Sequence, residues 1–187
     1  MTVVIATSNP GKVREFSRLL EPAGFTVKTP EECGVTGAPE EDGDTFLANA
    51  RIKARAAAAA TGLAALADDS GLCVDALDGE PGVRSARFAE PGKRTQTLLR
   101  RMEGQNNRKA RFVTAAVLAY PGGREITAEG VCEGEIALAP SGTNGFGYDP
   151  VFFLPELGRT MAELLPEEKN AVSHRARALR ALLEKLP

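Results

Sequence analysis

At 187 residues, with 43% hydrophobic and 26% charged side chains, the chain has the size of one domain and enough apolar surface to form a core. Its net charge of -2 argues against a general nucleic-acid binder, and its three cysteines (Cys33, Cys73, Cys132) form no C-x-x-C pair, which argues against a disulfide framework or a cysteine zinc site. The opening Met1-Thr2-Val3-Val4-Ile5-Ala6 lacks the basic flank and long apolar stretch of a signal peptide, and Ala56–Ala67 is too short to span a bilayer, so a soluble protein of the reducing cytoplasm is expected, with no membrane and no nucleic-acid partner.

Val3 to Ala6 is a β-branched run that predicts a buried strand. The polar turn Thr7-Ser8-Asn9-Pro10-Gly11 follows. Lys12 to Leu20 then places Val13, Phe16, Leu19 and Leu20 on one helical face, and Gly24 ends that helix. Asp44 or Thr45 can cap a second helix, from Phe46 through the alanine tract to Gly62. Leu63 to Ala67 predicts a short strand running into the polar segment Asp68-Asp69-Ser70-Gly71. Arg111 to Tyr120 and Arg124 to Ala137 read as strands around the turn Gly122-Gly123, a hairpin or part of a meander. Ser141 to Pro150 is a glycine-rich loop. Ser173 caps a closing amphipathic helix whose Ala176, Leu179, Leu182, Leu183 and Leu186 face inward. The class is mixed α/β, with no repeat and no internal linker.

Four polar clusters lie at the ends of strands or the starts of helices, where active sites commonly collect. The turn Thr7 to Lys12, backed by a helix N-terminus, suits an oxyanion, although it lacks the Walker A spacing. Glu40-Glu41-Asp42-Gly43-Asp44 and Asp68-Asp69 supply carboxylates, the hard oxygen ligands Mg²⁺ prefers. On a continuing strand Asp68 and Asp69 point to opposite sides, so one is structural and Asp69 is the chemical candidate, as ligand or as general base. Asn49 and Lys53 share a helical face; it is either a solvated stripe or a wall of the carboxylate site. Phe146, between glycines, could stack a base or plug the loop. His174 is the only histidine, which argues against a histidine-based metal centre.

Taken together, these clusters resemble the inosine triphosphate pyrophosphatase family, the non-canonical purine nucleoside triphosphate pyrophosphatases. The likeness runs in order over nearly the whole chain. It starts with Thr7-Ser8-Asn9-Pro10-Gly11-Lys12 and Glu15, then Thr45-Phe46, Asn49-Ala50 and Lys53-Ala54. Ala67-Asp68-Asp69-Ser70-Gly71-Leu72 and Pro81-Gly82 with Ser85-Ala86-Arg87 follow. Gly145-Phe146-Gly147-Tyr148-Asp149-Pro150, Lys169 and Ser173-His174-Arg175 complete it. Each motif alone is weak; their joint order and spacing are specific.

The resemblance implies an elongated mixed β-sheet flanked by helices, with two lobes and a central substrate cleft within a single domain over residues 1–187. It also implies a homodimer and Mg²⁺-dependent hydrolysis of ITP, dITP or XTP to the monophosphate and pyrophosphate, cleansing the pool of deaminated purines. By the same resemblance, Thr7, Ser8, Asn9, Pro10, Gly11 and Lys12 hold phosphates with Lys53. Glu40 and Asp69 serve Mg²⁺, with the choice between Glu40 and Glu41 open, and Asp69 accepts the proton of the attacking water beside the catalytic Lys53. Ser70, Gly147 and Tyr148 touch the substrate and Phe146 stacks on the purine. Asp149, Lys169, His174 and Arg175 read its edge. Ser8 departs from the glycine of many relatives, which is tolerable if only backbone faces the phosphate. A Maf-like pyrophosphatase for modified pyrimidine nucleotides and a non-catalytic nucleotide sensor are the competing readings. The Phe146 loop and Ser173-His174-Arg175 favour purine, and Lys53, Asp68 and Asp69 favour catalysis.

Overall fold

The β-branched run at the N-terminus forms β1 (Thr2–Ile5) in a computed structural model that describes residues 1–186. Asn9 then caps α1 (Pro10–Leu20), its Oδ1 accepting from the Gly11 and Lys12 amides. Pro10 occupies the first turn, where a missing N–H costs nothing, so the helix begins at Pro10 rather than Lys12. The short polar strand β2 (Thr26–Lys28) pairs parallel with β1. Between the two open cap candidates the structure selects Thr45, whose hydroxyl accepts the Ala48 amide at 3.1 Å to start α2 (Phe46–Thr61). Gly62, with φ of 67°, closes that helix in a conformation that favours glycine.

β3 (Ala64–Val74) corrects the expected short strand. It continues through Asp68, Asp69 and Ser70 instead of ending at Ala67. The strand lies between β1 and its other neighbour in the sheet, so ladder pairing overrides the low strand propensity of consecutive aspartates. α3 (Arg94–Arg101) follows, then β4 (Lys109–Ala119) and β5 (Glu125–Ile136). The short connection Tyr120–Arg124, tied by the Tyr120 amide to the Arg124 carbonyl at 2.9 Å, makes these adjacent strands a hairpin. β6 (Phe152–Leu154) and β7 (Arg159–Thr160) add on antiparallel.

The closing helix stands where the sequence places it, as α5 (His174–Leu183) directly after Ser173, and a short helix the sequence reading did not include, α4 (Pro166–Val172), precedes it. Ser173 lies between the two helices in extended backbone, the position of a cap for α5, while its amide donates to the Lys169 carbonyl at 2.8 Å. The apolar periodicity of α5 is real, but the polar α4 has almost none to read.

The seven strands run in the order β2-β1-β3-β4-β5-β6-β7, a mixed sheet flanked by helices. The chain forms two compact units: Met1–Asp69 with Thr114–Gly130 and His174–Pro187, and Ser70–Val113 with Val131–Ser173. In the first unit the strand pleat sorts two cores. Val3, Ile5 and Leu66 pack with Phe16 and Leu20 of α1 and Leu179 and Leu182 of α5. Val4, Ala65 and Ala67 pack with Ala50, Ala54, Ala57 and Ala58 of α2, whose alanines allow close approach. The second unit has one core, in which the Phe112 and Phe152 rings lie 4.4 Å apart among Leu72, Leu98, Met161 and Leu164. Among the described residues no helix is long and apolar enough to cross a membrane.

Gly130 of β5 lets the first turn of α5 approach the sheet, since a Cβ there would lie 2.2 Å from the His174 carbonyl oxygen and 2.4 Å from the Ala178 nitrogen. Gly130→Ala is therefore expected to destabilise the protein by about 1–3 kcal/mol, read as a lower urea midpoint. An unchanged midpoint would show that α5 can shift at no cost.

Candidate active site

The pleat of β3 turns Asp68 and Asp69 to opposite faces, and each meets its own set of partners in the first unit. Asp68 shares the face of Leu66. Its Oδ2 accepts from Lys12 Nζ of α1 at 2.9 Å and lies 3.4 Å from Arg175 Nε of α5. Arg175 Nη1 in turn donates to Glu15 Oε2 of α1 at 2.8 Å. Glu15, Arg175, Asp68 and Lys12 thus alternate in charge, and the first three are buried. Burial pushes the Lys12 ammonium below its ordinary value, an effect that Asp68 opposes and that Arg175 and Lys53 reinforce.

Asp69 shares the face of Ala65 and Ala67, toward α2. Asn49 Nδ2 donates to its Oδ2 at 3.1 Å, and Lys53 Nζ lies 3.7 Å from its Oδ1 and 2.9 Å from Glu41 Oε2. Asn49 Oδ1 also accepts the Gly43 amide at 2.8 Å, which anchors the acidic loop beside the strand. The Asn49–Lys53 face is therefore a wall of the carboxylate site and not a solvated stripe. Burial raises the Asp69 carboxyl above the usual carboxylate range, against the opposing pull of Lys53, Asn49 and Lys12.

The acidic loop brings Glu41 to Lys53, while Glu40 is exposed. Glu41 and Asp69 both approach the Lys53 ammonium, and their oxygens are of the hard type that a divalent ion takes as ligands. Among the described residues no group of three or more Asp, Glu, His or Cys side chains could hold a metal ion. A cation here would take its remaining ligands from phosphate oxygens and water, the habit of Mg²⁺.

In the turn before α1, the Asn9 amide donates to Thr7 Oγ1 at 3.2 Å, and Asn9 Oδ1 already accepts the Gly11 and Lys12 amides. The anion-binding capacity of this turn therefore rests less on those amides than on the Thr7 hydroxyl and the Lys12 ammonium. Ser8 and Pro10 are exposed.

The second unit holds the other group of sequence-predicted residues. Lys169 Nζ of α4 donates to Asp149 Oδ2 at 2.6 Å and sits 4.6 Å from the Phe146 ring centroid. Asp149 Oδ2 also accepts the Phe146 amide at 2.9 Å, so one buried carboxylate shapes the glycine-rich loop. Tyr148 is buried, its hydroxyl donating to the Ser85 carbonyl at 2.8 Å, and burial pushes its pKa up to about 12. Its role here is structural support of the loop, while the exposed Gly147, with φ of 65°, provides the bend. Ser70 is half-buried at the start of this unit. His174 is buried at the start of α5 in the first unit, and Arg175 lies with Lys12 and Asp68.

Sequence reading gave no role to Glu15 and treated Asp68 as structural. Glu15 stands three residues after Lys12 on α1, a spacing that could have shown the two on one face. Only the fold shows that Arg175 links Glu15 to Asp68.

Residues 3–185 match the model of the Ham1 family. The chain belongs to the Ham1 family. A dITP/XTP pyrophosphatase of Thermus thermophilus is 55% identical over 190 residues, covering 98% of this chain and 91% of that protein. One of an Exiguobacterium species is 52% identical over 186 residues, covering 97% and 95%. The structure of a HAM1 protein from Coxiella burnetii matches with a TM-score of 0.88 at 44% identity over 97% of this chain and 96% of that one. A nucleoside-triphosphatase / dITP/XTP pyrophosphatase from Mycobacterium abscessus matches with a TM-score of 0.76 at 46% identity over 98% and 99%. The Ham1 fold is thus shared along essentially the whole chain.

The raised Asp69 pKa has a consequence for stability. A carboxyl whose pKa is higher in the folded than in the unfolded state loses stability as pH rises through the raised value, because folding then holds an ionised group in a poorly solvated place. Without divalent metal, Asp69→Asn is expected to raise Tm at neutral pH, and the difference from wild type should shrink as the pH is lowered through the carboxylate range. A lower Tm for the variant at neutral pH would mean that pairing with Lys53 outweighs the desolvation.

Proposed function

We propose that this chain is a Mg²⁺-dependent pyrophosphatase of non-canonical purine nucleoside triphosphates, splitting dITP, ITP or XTP into the monophosphate and pyrophosphate. The observation that carries the reading is the convergence of Asp69, Lys53, Asn49 and Glu41 in the first unit. The names of the relatives, dITP/XTP pyrophosphatase, support the same substrate class.

A triphosphate repels a hydroxide-like nucleophile, so hydrolysis needs cations and a base close together. Lys12 and Lys53 supply positive charge that offsets the phosphate oxygens as pyrophosphate leaves. Asp69 accepts the proton of the attacking water. The Asn49 side-chain N–H fixes the orientation of this carboxylate. Mg²⁺, held by Asp69 with Glu41 or Glu40, would neutralise polyphosphate charge and favour deprotonation of water.

In the second unit, the Phe146 ring offers a face to a base, and the Lys169 ammonium, held by Asp149, can only donate hydrogen bonds and never accept them. An ammonium pairs with the 6-oxygen of hypoxanthine or xanthine and leaves the 6-amino group of adenine facing another donor. One such buried mismatch costs about 1–3 kcal/mol, roughly tenfold to a hundredfold in selectivity. The proposal extends to a homodimer, the state implied by the family resemblance, and to the cytoplasm, which the cysteine usage suits, and sedimentation of the purified protein would check the dimer.

Purified protein given dITP and Mg²⁺ is expected to release pyrophosphate and dIMP, with little turnover of UTP. Orthophosphate and dIDP as products would overturn the cleavage position, and preferred turnover of UTP would favour a Maf-like activity. Asp69→Asn should lower kcat by about a hundredfold or more while leaving the circular dichroism spectrum intact. Phe146→Ala should weaken nucleotide binding by about 1–3 kcal/mol in a calorimetric titration, and unchanged affinity would remove the stacking role.

A further inference from the structure

Asp68 has a side chain with 0% exposure, so it is not a surface ligand for a polyphosphate. It is nevertheless the point at which two cations from different helices meet. Its Oδ2 takes Lys12 Nζ of α1 at 2.9 Å and Arg175 Nε of α5 at 3.4 Å. Arg175 returns to α1 through Glu15 at 2.8 Å, which closes a ring: Asp68 to Lys12, along one helical turn to Glu15, across to Arg175 and back to Asp68. A lysine alone is a point charge on a flexible four-carbon stem. Here one of its three N–H groups is tied to a rigid strand, which leaves two for an incoming anion. Lys12 also lies under the repulsion of Arg175 and Lys53, which the Asp68 carboxylate opposes.

We propose that Asp68 is a positioning residue that holds the Lys12 ammonium in place for phosphate before substrate arrives, with the Glu15–Arg175 pair fixing the carboxylate against α1. The inference rests on the reading of the first unit as a polyphosphate site and adds a role for the buried neighbour of the proposed base.

The test is calorimetric titration with inorganic tripolyphosphate, which has no base and needs no turnover. Asp68→Asn, nearly isosteric, is expected to weaken binding by about tenfold or more, the usual scale for losing a charge-assisted hydrogen bond. Lys12→Met should weaken it as well. The double variant should be no weaker than Lys12→Met alone, because Asp68 acts through Lys12. Unchanged affinity in Asp68→Asn, or a loss that adds in full to that of Lys12→Met, would overturn the proposal. If Asp68→Asn alone does not fold, Asp68→Asn with Arg175→Gln removes one charge of each sign and is compared with Arg175→Gln; equal affinities would again overturn it. The outcome separates from the assigned activity. Tripolyphosphate binding that depends on Asp68 in a protein that does not cleave dITP would sink the function and leave the positioning role. Intact dITP turnover with Asp68-independent binding would do the reverse.

Discussion

Two consecutive carboxylates on a buried strand must be compensated separately, because the pleat sends adjacent side chains to opposite faces of the sheet. An uncompensated buried charge costs several kcal/mol, so each face of β3 has to find its own cations. On one face they come from Lys12 of α1 and Arg175 of α5, and on the other from Lys53 of α2. The same two faces carry the two cores of the first unit: Leu66 joins α1 and α5, and Ala65 and Ala67 join α2. Hydrophobic sorting and charge compensation therefore impose the same arrangement of helices. The polar turn before α1 and the acidic loop before α2 take their places from it.

The two aspartates end up with different chemistry for a physical reason. Asp68 meets two cations at a single oxygen and is wholly buried, so its charge is spent on holding other groups. Asp69 shares one lysine with Glu41, at 3.7 Å, and accepts one amide hydrogen from Asn49 at 3.1 Å. Compensation there falls short of the desolvation, and its carboxyl is raised. A raised carboxyl that keeps a water-facing edge is suited to taking a proton, whereas a neutralised one is suited to orienting its neighbours.

In the second unit a single carboxylate does comparable work. Asp149 Oδ2 takes both the Phe146 amide and the Lys169 ammonium, fixing the loop that presents the aromatic ring. Gly145 is required by this crowding, since a Cβ there would lie 2.0 Å from that oxygen, and its φ of 74° also favours glycine. The Lys169 ammonium lies 4.6 Å from the centroid of the Phe146 ring.

β1, α1, α2, the β4–β5 hairpin and α5 were legible in the sequence because each carries a long apolar pattern or a definite cap. β2, β6 and β7 are too short for periodicity, and α3 and α4 are too polar, so packing and ladder hydrogen bonds decide them. The Asn49–Lys53 spacing was readable as one face of a helix, and the aspartate pair as alternating along a strand. The ordered motifs were enough to place the chain in its family. What the sequence could not settle was which partner each charge has. Glu41 rather than Glu40 reaches Lys53, and Arg175 joins Asp68 and Glu15, through contacts between residues as far apart as α1 and α5. Local pattern reports how a segment folds against water; the pairing of buried charges depends on which distant segments the core brings together, and only the tertiary structure contains that.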